Sequence, residues 1–457
     1  MRVLKALAAS RRARVVVALG VVGAVALSTG PALAESSSSA GSPAAESSSS
    51  RDYGTPTAEP GKVCPFTGDI PVSVPAVNSP VGAPEVGVGG LSLPAPAVPS
   101  YLYGELCMSE SSLASARDGK PPAVLVLVHG ITYGTWYWDL PYESDTYSAV
   151  DYITKHGYAT LNIDRLGEGR SDHPASALVT NDTNAETVHQ LVQKLRGGEI
   201  GEIPFGHVGL VGHSYGTVTT WLETAKHNDA DMVIGTGYGN RFKADAGVQL
   251  FSGLQPASTV PVTAGEPWAL DPGYLQPRPG SRAEPLYNVE NTDPGVMATD
   301  EKLANTVTAE ELGLFAVREY DGTAKNIKIP TFLVNGEKDT IFCGPNEIAC
   351  TTSGTTEDGP EALEEKAEAL QQYEAPGFGP QACLRAASIP DMGHDTNLHL
   401  NAQQTFAQIV YFADQAMGTG GEKSADYRAN CATGRPSLSD RLPETGRVVP
   451  PTDLLGS

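Results

Sequence analysis

Ser214 lies between Gly212 and Gly216 in the segment GHSYG, directly after the apolar run VGLV. This is the G-x-S-x-G pattern, in which a serine occupies a sharp turn between a strand and a helix and exposes its hydroxyl. Chance gives about 0.4 such matches in a chain of this composition, so the motif alone is weak. The strand-like run before it and the helical pattern after it are what predict that Ser214 is a nucleophile.

A serine hydroxyl needs a histidine base, and the histidine needs a carboxylate that orients it. When the serine occupies such a turn, the expected chain order is serine, acid, histidine. Asp339 follows the late apolar run TFLV, with Glu337 as the alternative acid. His394 comes directly after the last predicted strand, and we prefer it to His399.

Negative charge that develops on a substrate oxygen is stabilised by backbone N–H groups placed in advance. The first predicted donor is the amide of Tyr215, which follows the serine and begins the next helix. The second is the amide of Ile131, just after His129 and Gly130. His129 lies within the turn itself, so we predict a structural role for its side chain.

The same loop carries four aromatic residues within six positions: Tyr133, Trp136, Tyr137 and Trp138. Such a group of rings either packs the core or lines a pocket for an acyl or alcohol group. The sequence leaves these two alternatives open. In the second alternative, Tyr133, Trp136 and Trp138 are the candidate substrate contacts.

Short apolar runs alternate with helical patterns from residue 121 onward. This alternation predicts an α/β fold, in which a mostly parallel sheet has helices on both faces and reactive groups at the carboxyl ends of its strands. Two clear helical patterns are AETVHQLVQKLRGG and GTVTTWLETAKHN. The predicted strands are PAVLVLVHG, ATLNIDRLGEG, HVGLVGHSYG, ADMVIGTGYG, KIPTFLVNGEKD and ACLRAASIPDMGH.

Residues 241–325 interrupt the alternation between the fourth and fifth of these strands. The segment is rich in proline and glycine and carries Trp268, Tyr274 and Tyr287. An insertion at this point would extend over the strand ends, and long loops in compact domains are often functional. We therefore predict a lid, with a decorative surface insertion as the alternative.

The first 34 residues have the pattern of an export signal. A basic start precedes an apolar run from Val15 to Leu27, which is too short to span a bilayer, and ALA at 32–34 fits a cleavage site. We expect a secreted chain that begins at Glu35, with a membrane anchor as the alternative. The segment SRRARVV leaves Sec and twin-arginine export open.

The remaining parts of the chain differ in composition. Residues 35–60 are rich in Ser, Ala, Pro and Glu and are predicted to be disordered. Residues 61–120 are predicted to form an N-terminal arm with the first strands, 121–435 the α/β domain, and 436–457 a flexible tail. LPETG at 442–446 spells a sortase signal, but the apolar span that such signals need does not follow it.

The net charge limits the binding partners that the protein can have, and the cysteines indicate the compartment in which it folds. A formal net charge of −22 disfavours nucleic acid and anionic membranes. The six cysteines fit an oxidising compartment, and the sequence lacks the C-x-x-C spacing that would favour zinc or redox use. Sequence cannot choose among the roughly 15 possible pairings. As a hypothesis, the short loop beside Asp339 gives the pairs Cys343–Cys350, Cys383–Cys431 and Cys64–Cys107.

From about residue 121 to 413 the chain resembles the α/β-hydrolase fold superfamily. The matching motifs are HG at 129–130, DRLGEGRSDHP at 164–174, GHSYG at 212–216, Asp339 and GH at 393–394. The resemblance implies an eight-stranded sheet, a Ser-His-Asp triad and hydrolysis through an acyl-enzyme, and it assigns Asp164 to a structural turn. A serine at 214 argues against haloalkane dehalogenases and epoxide hydrolases, which use aspartate there.

The expected activity is therefore that of a secreted carboxylesterase or lipase. The substrate would be a small-molecule or lipid-like ester, with no metal, no organic cofactor and no stable membrane insertion. One alternative is a secreted aminopeptidase of the same fold, although HGITYG departs from the H-G-G-P-G loop of those enzymes. The other alternative is a catalytically inactive binding module. Composition rich in Ala, Gly and Pro resembles that of secreted actinobacterial proteins, and the oligomeric state stays undetermined.

Overall fold

The computed structural model describes residues 61–75, 97–240, 244–318, 322–343 and 360–432. The predicted export signal, the low-complexity segment 35–60 and the C-terminal tail 436–457 lie outside these residues. None of the helices in the described part of the chain is long and apolar enough to cross a membrane.

An eight-stranded sheet forms the centre of the structure, in the order β1-β2-β4-β3-β5-β6-β10-β11, and a second sheet has the order β7-β8-β9. The strands are β1 (Lys62–Pro75), β2 (Ala97–Ser109), β3 (Val124–Val128), β4 (Ala159–Ile163), β5 (Val208–His213), β6 (Met232–Thr236), β7 (Leu254–Pro256), β8 (Tyr274–Pro277), β9 (Val307–Thr308), β10 (Thr331–Gly336) and β11 (Arg385–Ile389). All six predicted strands are present, and the predicted α/β fold with eight strands is confirmed.

The six strands from β3 to β11 in the large sheet pair in parallel, whereas β2 pairs antiparallel with both β1 and β4. Strands β3, β4, β5, β6 and β10 are buried along their whole length. Both faces of a parallel sheet are covered, so its strands are mostly apolar and show no regular alternation of buried and exposed residues.

Helices in the described residues pack against this sheet and against one another. Their bounds are α1 (Glu110–Arg117), α2 (Ser144–Tyr147), α3 (Ala149–Lys155), α4 (Asn181–Gly197), α5 (Tyr215–His227), α6 (Ala244–Ser252), α7 (Ala283–Leu286), α8 (Pro294–Leu303), α9 (Ala309–Arg318), α10 (Pro360–Glu374), α11 (Ala402–Ala416) and α12 (Ser424–Ala432). Thr180 caps the start of α4, and Gly198 ends it with φ of 72°. This left-handed conformation suits glycine, which has no Cβ.

Strands β1 and β2 make the predicted N-terminal arm an integral edge of the sheet. A disulfide joins Cys64 of β1 to Cys107 of β2, which confirms that pair of the hypothesis. Cys343 and Cys383 are also disulfide-bonded. Their predicted partners are not described: Cys350 lies outside the described residues, and so does the side chain of Cys431.

The insertion between β6 and β10 is a folded unit, although its sequence is rich in loop-forming residues. Its antiparallel sheet β7-β8-β9 is accompanied by α6 to α9. A buried ion pair holds the unit together, because Arg282 donates to both carboxylate oxygens of Asp300, at 3.1 and 2.7 Å. Tyr287 also donates to Asp300, at 2.8 Å. Because the Asp300 carboxylate accepts hydrogen bonds from both Arg282 and Tyr287, its charge is tolerated in the protein interior.

Removing the Cys64–Cys107 disulfide should destabilise the sheet edge. A Cys64→Ala, Cys107→Ala double variant should lose about 2–4 kcal/mol of unfolding free energy, because the cross-link closes a loop with a sequence separation of 43. Denaturant unfolding followed by circular dichroism measures the shift. An unchanged unfolding midpoint, relative to the oxidised wild type, would contradict this expectation.

Candidate active site

Ser214 occupies the turn between β5 and α5 with φ of 51° and ψ of −117°, a conformation that non-glycine residues rarely adopt. The turn is possible because its neighbours lack side chains. A Cβ on Gly212 would lie 2.4 Å from the carbonyl oxygen of Gly216, and a Cβ on Gly216 would lie 2.1 Å from that of Val128. Both positions therefore require glycine, and the serine side chain projects at the carboxyl end of β5.

Three of the predicted residues form one hydrogen-bonded chain. Nε2 of His394 lies 2.9 Å from Oγ of Ser214, and Nδ1 of His394 lies 2.9 Å from Oδ2 of Asp339. The other oxygen of Asp339 accepts from the amides of Ile341 and Phe342, at 2.7 and 3.1 Å. A carboxylate fixed in this way favours the imidazole with its proton on Nδ1 and leaves Nε2 free to accept the serine proton.

Electrostatics favour a basic imidazole. Burial of His394 opposes its charged form, but the negative charge of Asp339 and its hydrogen bond outweigh burial, so the pKa of His394 is raised. Asp395, the next residue, raises that pKa further. The geometry and the pKa therefore both allow His394 to take a proton from Ser214.

Glu337 and His399, the alternatives for the acid and the base, make other contacts. The carboxylate of Glu337 forms an ion pair with Lys366 at 2.7 Å. Nε2 of His399 accepts the amides of Gly393 and Asn288, at 2.9 and 3.0 Å, and its other nitrogen is 2.8 Å from a backbone carbonyl oxygen. His399 therefore ties the His394 loop to the insertion, which supports the choice of His394 as the base.

The loop that carries Ile131 lies against Ser214. A Cβ on Gly130 would be 3.1 Å from Cβ of Ser214, so the two turns pack directly on each other. Tyr215 begins α5, where the helix dipole favours negative charge. The amides of Tyr215 and Ile131 thus belong to the two turns that meet at Ser214, and their role as oxyanion donors stays a prediction.

His129 is structural, as its position in the turn indicates. Its Nε2 accepts the amide of Arg165 at 3.0 Å, and its Nδ1 is 2.8 Å from the carbonyl oxygen of Gly130. Burial of the ring and the positive charge of the neighbouring Arg165 lower the pKa of His129 well below its ordinary value. Asp164 accepts the amide of Thr135 at 2.6 Å, in keeping with a structural turn.

The aromatic loop is buried, with its four rings at most 2% exposed. Tyr137 stacks on His213 with ring centroids 4.2 Å apart, and Tyr133 donates to Asp395 at 2.5 Å. These contacts agree with the alternative in which the four rings pack the protein core. A role for Tyr133, Trp136 and Trp138 in contacting substrate stays a prediction.

Sequence reasoning missed a buried network beside His394. Asp395 accepts from Tyr133 and lies 3.3 Å from Nε2 of His213, whose other nitrogen is 3.0 Å from Oγ1 of Thr236. Asp395 and His213 each neighbour a predicted site residue in the chain. That adjacency was the one available signal, and it does not reveal that the two side chains meet.

The insertion contacts the site through residues that carry no sequence signal. The Arg282 guanidinium lies 4.3 Å above the ring of Tyr133 and donates to Oγ1 of Thr132, one residue after Ile131. The amide of Asp395 donates to the carbonyl of Leu286 at 3.1 Å. The insertion therefore packs against both loops that flank Ser214, and its role as a lid stays a prediction.

The family model described as "Alpha/beta hydrolase family" matches residues 125–409. Among curated protein sequences, none matches the chain.

Several solved structures are similar in fold. A thermophilic esterase from Thermogutta terrifontis is 16% identical with a TM-score of 0.43, over 75% of this chain and 99% of the other. An enol-lactonase from Burkholderia xenovorans is 16% identical with a TM-score of 0.42, over 68% of this chain and 96% of the other. An esterase from Exiguobacterium antarcticum is 16% identical with a TM-score of 0.43, over the same shares.

The raised pKa of His394 predicts how the reactivity of Ser214 depends on pH. Below that pKa the imidazole is protonated and cannot accept the serine proton. The rate of labelling by a fluorophosphonate should thus fall about tenfold per pH unit there. The midpoint should lie above the ordinary histidine value of 6.5, and Asp339→Asn should move it to lower pH by removing the negative charge. Labelling rates measured across the neutral range test both statements, and a wild-type midpoint below 6.5 contradicts the first.

Proposed function

The chain belongs to the alpha/beta hydrolase family, and we propose that it is a secreted serine hydrolase that cleaves carboxylic esters. The observation that carries the proposal is the hydrogen-bonded chain from Ser214 through His394 to Asp339, with both links at 2.9 Å. A serine held in a strained turn next to a buried, oriented imidazole is the arrangement that nucleophilic acyl transfer needs.

The reaction would begin when Oγ of Ser214 attacks the ester carbonyl carbon and His394 takes the hydroxyl proton. The resulting oxyanion would be held by the amides of Tyr215 and Ile131. As the C–O bond to the alcohol breaks, His394 returns the proton to the leaving oxygen, and an acyl-enzyme remains. Water, deprotonated by His394, then attacks the acyl carbon and releases the acid, while Ser214 regains its proton. Asp339 holds the imidazole throughout and stabilises its charged form.

The insertion favours esters over peptides with a free amino terminus. An aminopeptidase needs an uncompensated carboxylate that faces the substrate amine. In the described residues of the insertion, the two wholly buried acids are Asp300 and Glu311, and each is paired with an arginine, Arg282 and Arg165 respectively. Their charges are thus already compensated within the fold, which supports a neutral acyl substrate.

A substrate screen tests the ester assignment. Purified protein should hydrolyse p-nitrophenyl esters and leave aminoacyl nitroanilides intact, because the two wholly buried acids in the described part of the insertion are already paired with arginines. The initial rates are followed by release of nitrophenol or nitroaniline. Faster cleavage of the nitroanilides would favour the aminopeptidase, and no turnover of either class, in folded protein, would favour the inactive binding module.

Substitutions in the triad test the mechanism. Ser214→Ala and His394→Ala should each lower turnover by about 10⁴- to 10⁶-fold, and their losses should not add, because the base and the nucleophile act together. Asp339→Asn should retain more activity than either. A fluorophosphonate should label Ser214, as peptide mapping by mass spectrometry would detect.

His399→Ala is the matched control for His394→Ala, since both imidazoles lie in the same loop. It should lower stability by about 1–3 kcal/mol for each of the two amides that it leaves unpaired, while folded protein still reacts. Loss of labelling in His399→Ala but not in His394→Ala would show that the base is misassigned. A label on another serine would overturn the nucleophile.

A further inference from the structure

A second group of ionisable side chains lies where α4, α5 and the turn after α5 meet. His189 comes from α4, Glu223 from α5 and Asp229 from the turn, and each offers a ligand atom within 4.8 Å of the other two. We call these three residues the three-donor cluster. They take no part in the triad, since Ser214 immediately precedes α5 and Glu223 lies more than two helical turns further along that helix.

The two carboxylates of the cluster share one imidazole. Nδ1 of His189 pairs with both Asp229 and Glu223, so one imidazole faces two negative charges. Oε1 of Glu223 and Oδ1 of Asp229 are buried without a hydrogen-bond donor in the described part of the chain, and the side chain of Glu223 is wholly buried. Buried carboxylate oxygens without a donor are costly, and two of them beside one imidazole point to a shared cation.

From this geometry we propose that the three-donor cluster binds one divalent transition-metal ion of the Zn²⁺ class. Nδ1 of His189 lies 2.9 Å from Oδ2 of Asp229 and 3.8 Å from Oε1 of Glu223. Tetrahedral Zn²⁺ with bonds of about 2.0–2.2 Å holds its ligand atoms about 3.3–3.6 Å apart, which lies between these two distances. One imidazole and two carboxylates also form a donor set that this class of ion accepts, with water at the fourth position.

Neighbouring residues hold the donors in place. Gln193 donates to Oδ2 of Asp229 at 2.5 Å, and Thr224 donates to Oε2 of Glu223 at 3.3 Å. The oxygens left over, Oδ1 and Oε1, are those that lack partners. Such supporting hydrogen bonds orient the ligands of metal sites. The side chains of His189 and Asp229 are 25% and 20% exposed, so an ion can reach the cluster from solvent.

A second group of converging ligand atoms lies beside Ser214, but its atoms have hydrogen-bond partners within the protein. His213, His394 and Asp395 also bring their ligand atoms within 4.8 Å of one another. There, however, His394 uses both nitrogens in the triad, and His213 is hydrogen-bonded to Thr236 and Asp395. Convergence of donors alone thus does not distinguish the two groups, whereas the unsatisfied atoms do.

Metal binding would link α4 to the helix that begins at the nucleophile. The expected effect is on stability rather than on the chemical step. An ion that binds only the folded protein stabilises it, so the unfolding temperature should rise with the concentration of the ion.

Isothermal titration calorimetry of the full-length protein, freed of metal with EDTA, provides the test. Zn²⁺ should bind with one ion per chain and raise the unfolding temperature by a few degrees. His189→Ala and Asp229→Asn should each weaken binding by at least about tenfold, because each removes a ligand. Ca²⁺, which takes roughly six to eight oxygen ligands, should not compete.

His207→Ala is the matched control. His207 is also a partly exposed imidazole beside a carboxylate, 3.5 Å from Asp231, but that carboxylate already pairs with Arg196 and Arg428. This variant should bind Zn²⁺ as the wild type does. The proposal is overturned if the wild type binds no stoichiometric Zn²⁺, or if folded His189→Ala binds it unchanged. If circular dichroism shows that His189→Ala is unfolded, unchanged binding in folded Asp229→Asn overturns the proposal instead.

Discussion

The close approach of α5 to the end of β3 is the constraint on which the site depends. Gly216 lies so near the carbonyl oxygen of Val128 that a Cβ would be 2.1 Å from it. This contact holds the start of α5 against the sheet and forces Ser214 into a backbone conformation that costs about 1–3 kcal/mol. The hydrogen bonds of the parallel strands on either side of β5 stabilise that conformation, so the sheet supports the strain at its carboxyl edge.

Buried charges connect the insertion to this edge. Arg165 lies between Glu168 and Glu311 and 4.7 Å from the ring centroid of Tyr215, so α9 of the insertion is joined to the start of α5. Buried pairs of this kind contribute little net stability when intact, but breaking one leaves an uncompensated charge and costs about 3–5 kcal/mol. Moving α9 away from the site would therefore break the Arg165–Glu311 pair.

Two acids influence the same imidazole in different ways. Asp339 is hydrogen-bonded to His394 and to two backbone amides, so it orients the ring and stabilises its charged form. Asp395 instead accepts from Tyr133 and lies beside His213, and burial raises its own pKa. The ring thus has one partner that fixes its tautomer and one neighbour that belongs to the surrounding packing.

The sequence by itself determined the parallel sheet, the order of its strands along the chain, and the positions of Ser214, Asp339 and His394 on strand ends. These features are local, because apolar periodicity and turn glycines act over a few residues. The sequence did not decide whether the aromatic loop is buried, and it gave no sign that Arg282 reaches that loop. Nor could it bring His189 to Glu223 and Asp229. These contacts join residues that are far apart in the chain, and only the packing of one element on another places their side chains together.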